Sequence, residues 1–274
     1  MELLKLARIL PIAALVLTGS VQAATIPYTE NFDDDTLGAS NPSEPAPESG
    51  SFTAGSGAWS VVGGAGAISG QSFNVNNTSG TQTYGASIGF AGSLGGSAAT
   101  ASNFVVSSQI QFNAGTVGSV SAGLGFLGTS TSFDSGYNAD LNYSSGVIRF
   151  VRNGTPLTGT ATTDAGTVAQ DAIYTLVVTG TYVDTNADST KDALDLTATV
   201  SGGALGGSIT YLDLAPLTTG TLFGYRLRNT TSGADGNVDF DNFSVSNVAI
   251  PEPTTAGLLL LSAGLVGLRR RSMK

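Results

Sequence analysis

Asn103-Phe104-Val105-Val106-Ser107-Ser108-Gln109-Ile110-Gln111-Phe112 decides the fold. Phe104, Val106, Ile110 and Phe112 fall on one side of an extended chain, and Ser107, Gln109 and Gln111 on the other. That period of two, with β-branched and aromatic residues, is the pattern of a half-buried strand. Residues 117–127, 146–151, 173–183, 193–200 and 222–227 are further strand-length stretches bounded by Gly, Asn, Asp or Ser. In residues 238–245 the apolar positions are Val238, Phe240, Phe243 and Val245. Thirty-seven glycines and only 11% charged residues disfavour long surface helices. Because no long helical pattern separates the strands, the expected fold is all-β, an antiparallel β-sandwich and not a parallel α/β sheet. Residues 41–51 are Pro-rich and acidic, and proline lacks the donor a central strand requires, so they read as a long surface loop.

Both ends carry topogenic patterns. Lys5 and Arg8 precede an apolar run, and Val21-Gln22-Ala23 ends in small residues, as a signal helix cleaved by signal peptidase does. The expected cut follows Ala23, with Ala24 as the alternative. Near the other end, Pro251-Glu252-Pro253 precedes thirteen uncharged residues, 256–268, and then Arg269-Arg270-Arg271. The run is shorter than the roughly 20 residues of a full span, but snorkelling arginines and local thinning permit a marginal transmembrane helix. The cationic cluster would hold its C-terminal end in the cytoplasm and leave Pro251 outside. The division is therefore 1–23 signal peptide, 24–249 sandwich and 250–274 tail, with residues 256–268 crossing the inner membrane.

The sandwich segment holds five basic residues, Arg149, Arg152, Lys191, Arg226 and Arg228, against eighteen acidic ones. So acidic a body repels nucleic acid and anionic membrane and attracts divalent cations. The chain has no Cys and no His, which removes disulfides, Ser-His-Asp and Cys-His catalysis and the usual zinc sites. The three Glu of the sandwich segment, at 30, 44 and 48, lie outside the periodic strands. Asp239 and Asp241 have the spacing of a carboxylate pair on one strand face, which leaves a secreted carbohydrate-active enzyme, a glycosidase or lyase, as the alternative to a non-catalytic protein. The expectation is no catalytic residue.

Between two strands lies Asp184-Thr185-Asn186-Ala187-Asp188-Ser189-Thr190-Lys191-Asp192. Oxygen ligands at alternate positions can wrap a hard cation, so Asp184, Asn186, Asp188 and Asp192 with the Thr190 carbonyl form a candidate structural Ca²⁺ site. Ser189 stands where an EF-hand-type loop has Gly, and no Glu ends the loop; the competing reading is a polar turn that caps its own backbone. A second acidic cluster, Glu30, Asp33, Asp34, Asp35, Asp239 and Asp241, would form if the first and last strands paired. Tyr84, Tyr137, Tyr143, Tyr211 and Tyr225 are the candidate aromatics for stacking on sugar.

The order Pro-Glu-Pro, apolar helix, Arg cluster resembles the PEP-CTERM sorting signal of Gram-negative bacteria. That resemblance implies that an exosortase recognises Pro251, Glu252 and Pro253, with Arg269, Arg270 and Arg271 as the cytoplasmic stop. It further implies a transient inner-membrane anchor followed by release to the cell surface or an extracellular biofilm matrix, where extracellular polysaccharide is the expected partner. Between the two signals, Glu30-Asn31-Phe32-Asp33, the stretch from Trp59 to Gly64, the return strand Ile148 to Gly154 and the closing strand Val238 to Val245 resemble a concanavalin A-like, laminin-G-like jelly roll. The resemblance implies that Trp59 faces inward and that the terminal strands of the body pair.

Overall fold

A computed structural model describes residues 27–33, 43–44, 57–58, 60–62, 66–68, 72–77, 83–90, 102–157, 162–217, 219–229, 231 and 234–247. The signal segment, the Pro-Glu-Pro tail with its apolar run, Asp34, Asp35 and Trp59 lie outside them.

Along the chain the strands are β1 (Tyr28–Glu30), β2 (Ser43–Glu44), β3 (Gly57–Ala58), β4 (Ser60–Val62), β5 (Gly66–Ile68) and β6 (Phe73–Asn77). Then come β7 (Thr83–Gly89), β8 (Phe104–Phe112), β9 (Val120–Gly128), β10 (Tyr137–Asn142), β11 (Val147–Arg152) and β12 (Thr155–Pro156). The last are β13 (Thr162–Asp164), β14 (Ile173–Val183), β15 (Ala193–Gly202), β16 (Leu205–Asp213), β17 (Leu222–Asn229) and β18 (Gly236–Asn247). The first sheet runs β16-β15-β14-β8-β18-β6-β5, with β1 also on β18. The second runs β12-β11-β10-β9-β17-β7-β4, with β13 also on β11. Every pairing is antiparallel. Ser43–Glu44, inside the Pro-rich stretch, pairs only with β3 in a two-stranded ribbon apart from both sheets. Asn153 and Gly154, both at positive φ, make the tight turn from β11 to β12, as an Asn-Gly pair favours.

The sheets pack face to face through aromatic rings. Tyr225 of β17 stacks on Phe240 of β18 with centroids 4.5 Å apart and meets Phe243 edge-on at 5.2 Å. Phe104 bridges the layers to Phe126 and Phe223. Phe240 and Phe243 are fully buried, as their place in the apolar pattern requires.

Two residues separate Val238 from Phe240 and Phe243 from Val245, but three separate Phe240 from Phe243. The structure shows why: pairing with β8 steps from Asp241↔Gln109 to Ser244↔Ser107, so β18 holds one extra residue. This is a β-bulge, with Asn242 at φ 49°. Before it β18 pairs with β6, and after it with β1, in the register Tyr28↔Val245 and Glu30↔Phe243. The first and last strands of the body thus pair.

Glu30 is buried there with no exposed surface; its carboxylate accepts from the Phe32 amide at 2.7 Å and the Tyr28 hydroxyl at 3.3 Å. Burial pushes the Tyr225 hydroxyl up, and the charges of Glu30 and Asp241 add to it.

Removing the Phe240 ring leaves a cavity between two sheets that cannot close on it. Phe240→Ala should cost about 3–5 kcal/mol, read as a lower urea midpoint at unchanged slope. A loss below about 1 kcal/mol would show that the site collapses around the missing ring.

Candidate functional site

Alternation on β8 sends Gln109 and Gln111 to the outer face of the first sheet, opposite the buried Ile110. On β18 the same face receives Asn237, Asp239 and Asp241. Register places Gln111 between Asp239 and Ile173, and Gln109 between Asp241 and Thr175. Asn74 of β6 stands opposite Asp239. Gln109, Gln111, Ile173, Asp239 and Asp241, with Ser72 and Ile110, line an open groove of about 310 Å³, and Asn74 and Asn237 stand beside it on the same face.

The amides and carboxylates of this face are hydrogen-bonded in two groups. Asn74 donates through Nδ2 to Asp239 Oδ1 at 2.6 Å and to Asn237 Oδ1 at 2.9 Å. Gln111 donates to Asn113 at 3.0 Å. The bulge residue Asn242 donates to Gln109 Oε1 at 3.2 Å and to Asp241 Oδ2 at 2.9 Å. Amides donate and accept while carboxylates accept, so the surface matches a ligand rich in hydroxyls. A second hollow of about 270 Å³, lined by Thr29, Glu30, Asn31, Asn242 and Phe243, lies on the other side of the bulge.

Of the second candidate cluster, Asp34 and Asp35 lie outside the described residues, and the other four acidic side chains are not brought together although the first and last strands do pair. Glu30 points into the core, Asp239 and Asp241 point outward, and Asp33 is bound to its neighbour Asn31. Among the described residues no group of three acidic side chains is placed to hold a metal.

The 184–192 loop joins β14 to β15 and caps its own backbone. Asp184 accepts the amides of Asn186 and Ala187 through Oδ1 and that of Ser189 through Oδ2, at 2.7–3.1 Å. Asn186 accepts the Asp188 amide, and Asp188 that of Thr190. Asp192 accepts from both the amide and the hydroxyl of Thr185. Ala187 and Ser189 take positive φ, the latter at the position where a cation-binding loop would carry Gly. Slight desolvation acts to raise the Asp184 carboxyl, but the amides of Ser189, Asn186, Ala187 and Asp188 together hold it below the usual carboxylate range. Asp184, Asn186, Asp188 and Asp192 are therefore gathered in one loop with their oxygens turned onto the chain.

Tyr137 and Tyr225 belong to the core, and Tyr143 and Tyr211 are half-buried against it. No aromatic ring is exposed among the described residues, and the Tyr84 side chain lies outside them. Tyr137 donates to Asp213 at 2.6 Å, and Arg152 pairs with the same carboxylate at 3.0 Å, tying the rims of the two sheets together. Burial first, and then the bond to Asp213, pushes the Tyr137 hydroxyl far above its ordinary value.

Sequence reasoning found Asp239 and Asp241 but missed Gln109, Gln111, Asn74 and Asn237. The signal was present in the polar positions of 103–112 and 238–245, but only register shows that they share a groove.

Two eight-stranded antiparallel sheets, with the first and last strands paired, define a jelly-roll β-sandwich. No protein-family model matches the chain, and no curated protein matches it. Among solved structures it is similar to the Lotus tetragonolobus seed lectin, at 12% identity over 82% of this chain and 100% of that one, with a TM-score of 0.51. An alginate lyase superposes with a TM-score of 0.49 at 11% identity, covering 85% of this chain and 99% of its own. A carbohydrate-binding module from Bacillus subtilis gives 0.42 at 14% identity, covering 69% of this chain and 94% of its own. At such identities the likeness is one of fold, in accord with a concanavalin A-like body.

Lys191 is the lone lysine of residues 24–249 and sits in the 184–192 loop. Asp184→Ala removes the acceptor of three loop amides and should speed trypsin cleavage after Lys191 severalfold with the sandwich intact. Because the Asp184 carboxyl is held low, its contribution is complete above about pH 4 and is lost as pH falls through the lowered value. Unchanged proteolysis would show that the loop is held by other contacts.

Proposed function

We propose that this chain is an exported, non-catalytic protein of the cell surface or extracellular matrix whose sandwich binds polysaccharide in the amide- and carboxylate-lined groove of the first sheet. The observation that carries the reading is the groove itself: Gln109, Gln111, Asp239 and Asp241 line it on an open face, and Asn74 and Asn242 donate to its two carboxylates. A sugar chain presents hydroxyls that both donate and accept, and such a surface answers them without a stacking platform. The lectin likeness supports the fold on which this is built and nothing finer.

The sorting part of the proposal rests on Pro251, Glu252, Pro253 and Arg269 to Arg271. An exosortase would receive the chain at the Gram-negative inner membrane after signal peptidase has acted, and the tail would be a transient anchor. Structural Ca²⁺ at Asp184, Asn186, Asp188, Thr190 and Asp192 belongs to the same reading. A carboxylate offers about four lone-pair positions, so oxygens that accept amides retain capacity for a cation. Extracellular modules hold Ca²⁺ at about 10⁻⁴–10⁻³ M.

A secreted glycosidase or lyase is the second reading, because Asp239 and Asp241 face the same groove. Incubation with a panel of polysaccharides separates the two. Retention without new reducing ends or unsaturated ends is expected, and Gln111→Ala should weaken retention about tenfold. Release of ends, abolished by Asp239→Asn or Asp241→Asn, would overturn the non-catalytic assignment. Melting in millimolar Ca²⁺ should exceed melting in EDTA by a few degrees, corresponding to about 1 kcal/mol or more. Equal melting temperatures would remove Ca²⁺ from the account.

A further inference from the structure

On the second sheet β9 and β10 are buried at every residue, outward positions included. The covering element is the segment joining β9 to β10, which folds back over the sheet. Phe133 lies fully buried over Gly125 and Gly128, and the Thr131 carbonyl sits where a Cβ on Gly85 would be. Ser87 donates to Thr131 at 3.1 Å and Asn138 to the Phe133 carbonyl at 3.1 Å.

At the border of this cover, register sets one row across five strands: Arg149, Asp140, Gly123, Arg226, Gly85. Gly123 has no side chain, so Arg226 reaches across it to Asp140 Oδ2 at 3.4 Å. Its other terminal nitrogen meets Asp134 of the covering segment at 3.3 Å. Arg149 lies 3.9 Å from Asp140 and donates to Ser121 at 3.0 Å. One row on, Arg228 stands opposite Ser121 and reaches the Gly154 carbonyl at 3.4 Å. Four of the five basic residues of the acidic body are thus on β11 and β17, and three share this face.

These guanidinium groups have more donors than the protein gives them acceptors. Arg226 is 1% exposed, yet its Nε has no hydrogen-bond partner among the described residues; the same holds for the buried Nε of Arg149 and for Asp140 Oδ1. A buried donor left without an acceptor is costly, and five donors in a fork suit a carboxylate held through both oxygens. The counter-ion from the covering segment, Asp134, keeps 58% of its side chain in solvent, a weakly held partner for a charge so deep.

We propose that this face binds the carboxylate of an acidic sugar, a uronate residue of a polysaccharide, with Arg226, Arg149 and Arg228 as its ligands and Asp134 as the internal carboxylate it displaces. Displacement leaves three guanidinium groups facing Asp140 alone, a net charge of plus two on the face. Long-range repulsion from the acidic body is screened beyond about 8 Å at physiological salt, so the polymer is met by the local field. The site lies on the sheet opposite the amide groove and does not rest on it.

Electrophoresis of the full chain through gels containing polygalacturonate or neutral dextran, in EDTA to prevent cation bridging, tests the proposal. Polygalacturonate should retard the chain, and Arg228→Gln should weaken that about tenfold. Asp134→Asn, on the exposed partner, should strengthen it, an effect that a merely structural ion pair would not give. Absence of retardation by polygalacturonate, or retardation that neither variant alters, overturns the proposal. Retardation by dextran alone would leave groove binding standing and sink this site; melting curves of both variants show that the fold is kept.

Discussion

The contact between Tyr225 and the closing strand holds this molecule together. A chain without cysteine and with few charged side chains must stabilise itself by burying apolar surface between layers, and here the rings of Tyr28, Phe32, Phe73, Tyr225, Phe240 and Phe243 meet in one seam. That seam is where the two ends of the body come together. β1 and β6 both lie on β18, so the first described strand of the sandwich is packed by the last.

The one-residue bulge in β18 arranges the rest. It keeps Phe243 and Val245 inward after Phe240, which strict alternation would have sent out. It also turns Asn242 outward to Gln109 and leaves the Asp241 carbonyl to accept from Ser108 at 2.6 Å. One inserted residue therefore serves the core and the groove together. The cost is a non-glycine residue at positive φ, which Asn tolerates better than most.

Small residues do for the second sheet what the bulge does for the first. Gly85, Gly123, Gly125 and Gly224 leave its outer face low; a Cβ at Gly123 would run into the carbonyl of Ala139. The low face lets the β9–β10 segment lie against the strands and lets Arg226 extend to Asp140. In sequence those glycines read as weakened strand, and their purpose appears only with the chain that crosses them.

By itself the sequence determined the layer architecture, because the period of two in residues 103–112 and 173–183 can bury its apolar side only in a sheet. It also determined that Phe240 and Phe243 are core, and it confined candidate chemistry to Asp, Asn, Gln and Arg by omitting Cys and His. It did not reveal β7, β10 or β16 as strands. β10 carries Asn138, Asp140 and Asn142, turn-formers in isolation, whose side chains are matched by Phe133, Arg226 and Ser121 from elsewhere in the chain. Tertiary structure alone decided that Glu30 turns inward while Asp239 and Asp241 turn outward, and that the arginines of β11 and β17 share a face. Strand register set those neighbours, and register is fixed by pairing between segments more than a hundred residues apart, which no local pattern encodes.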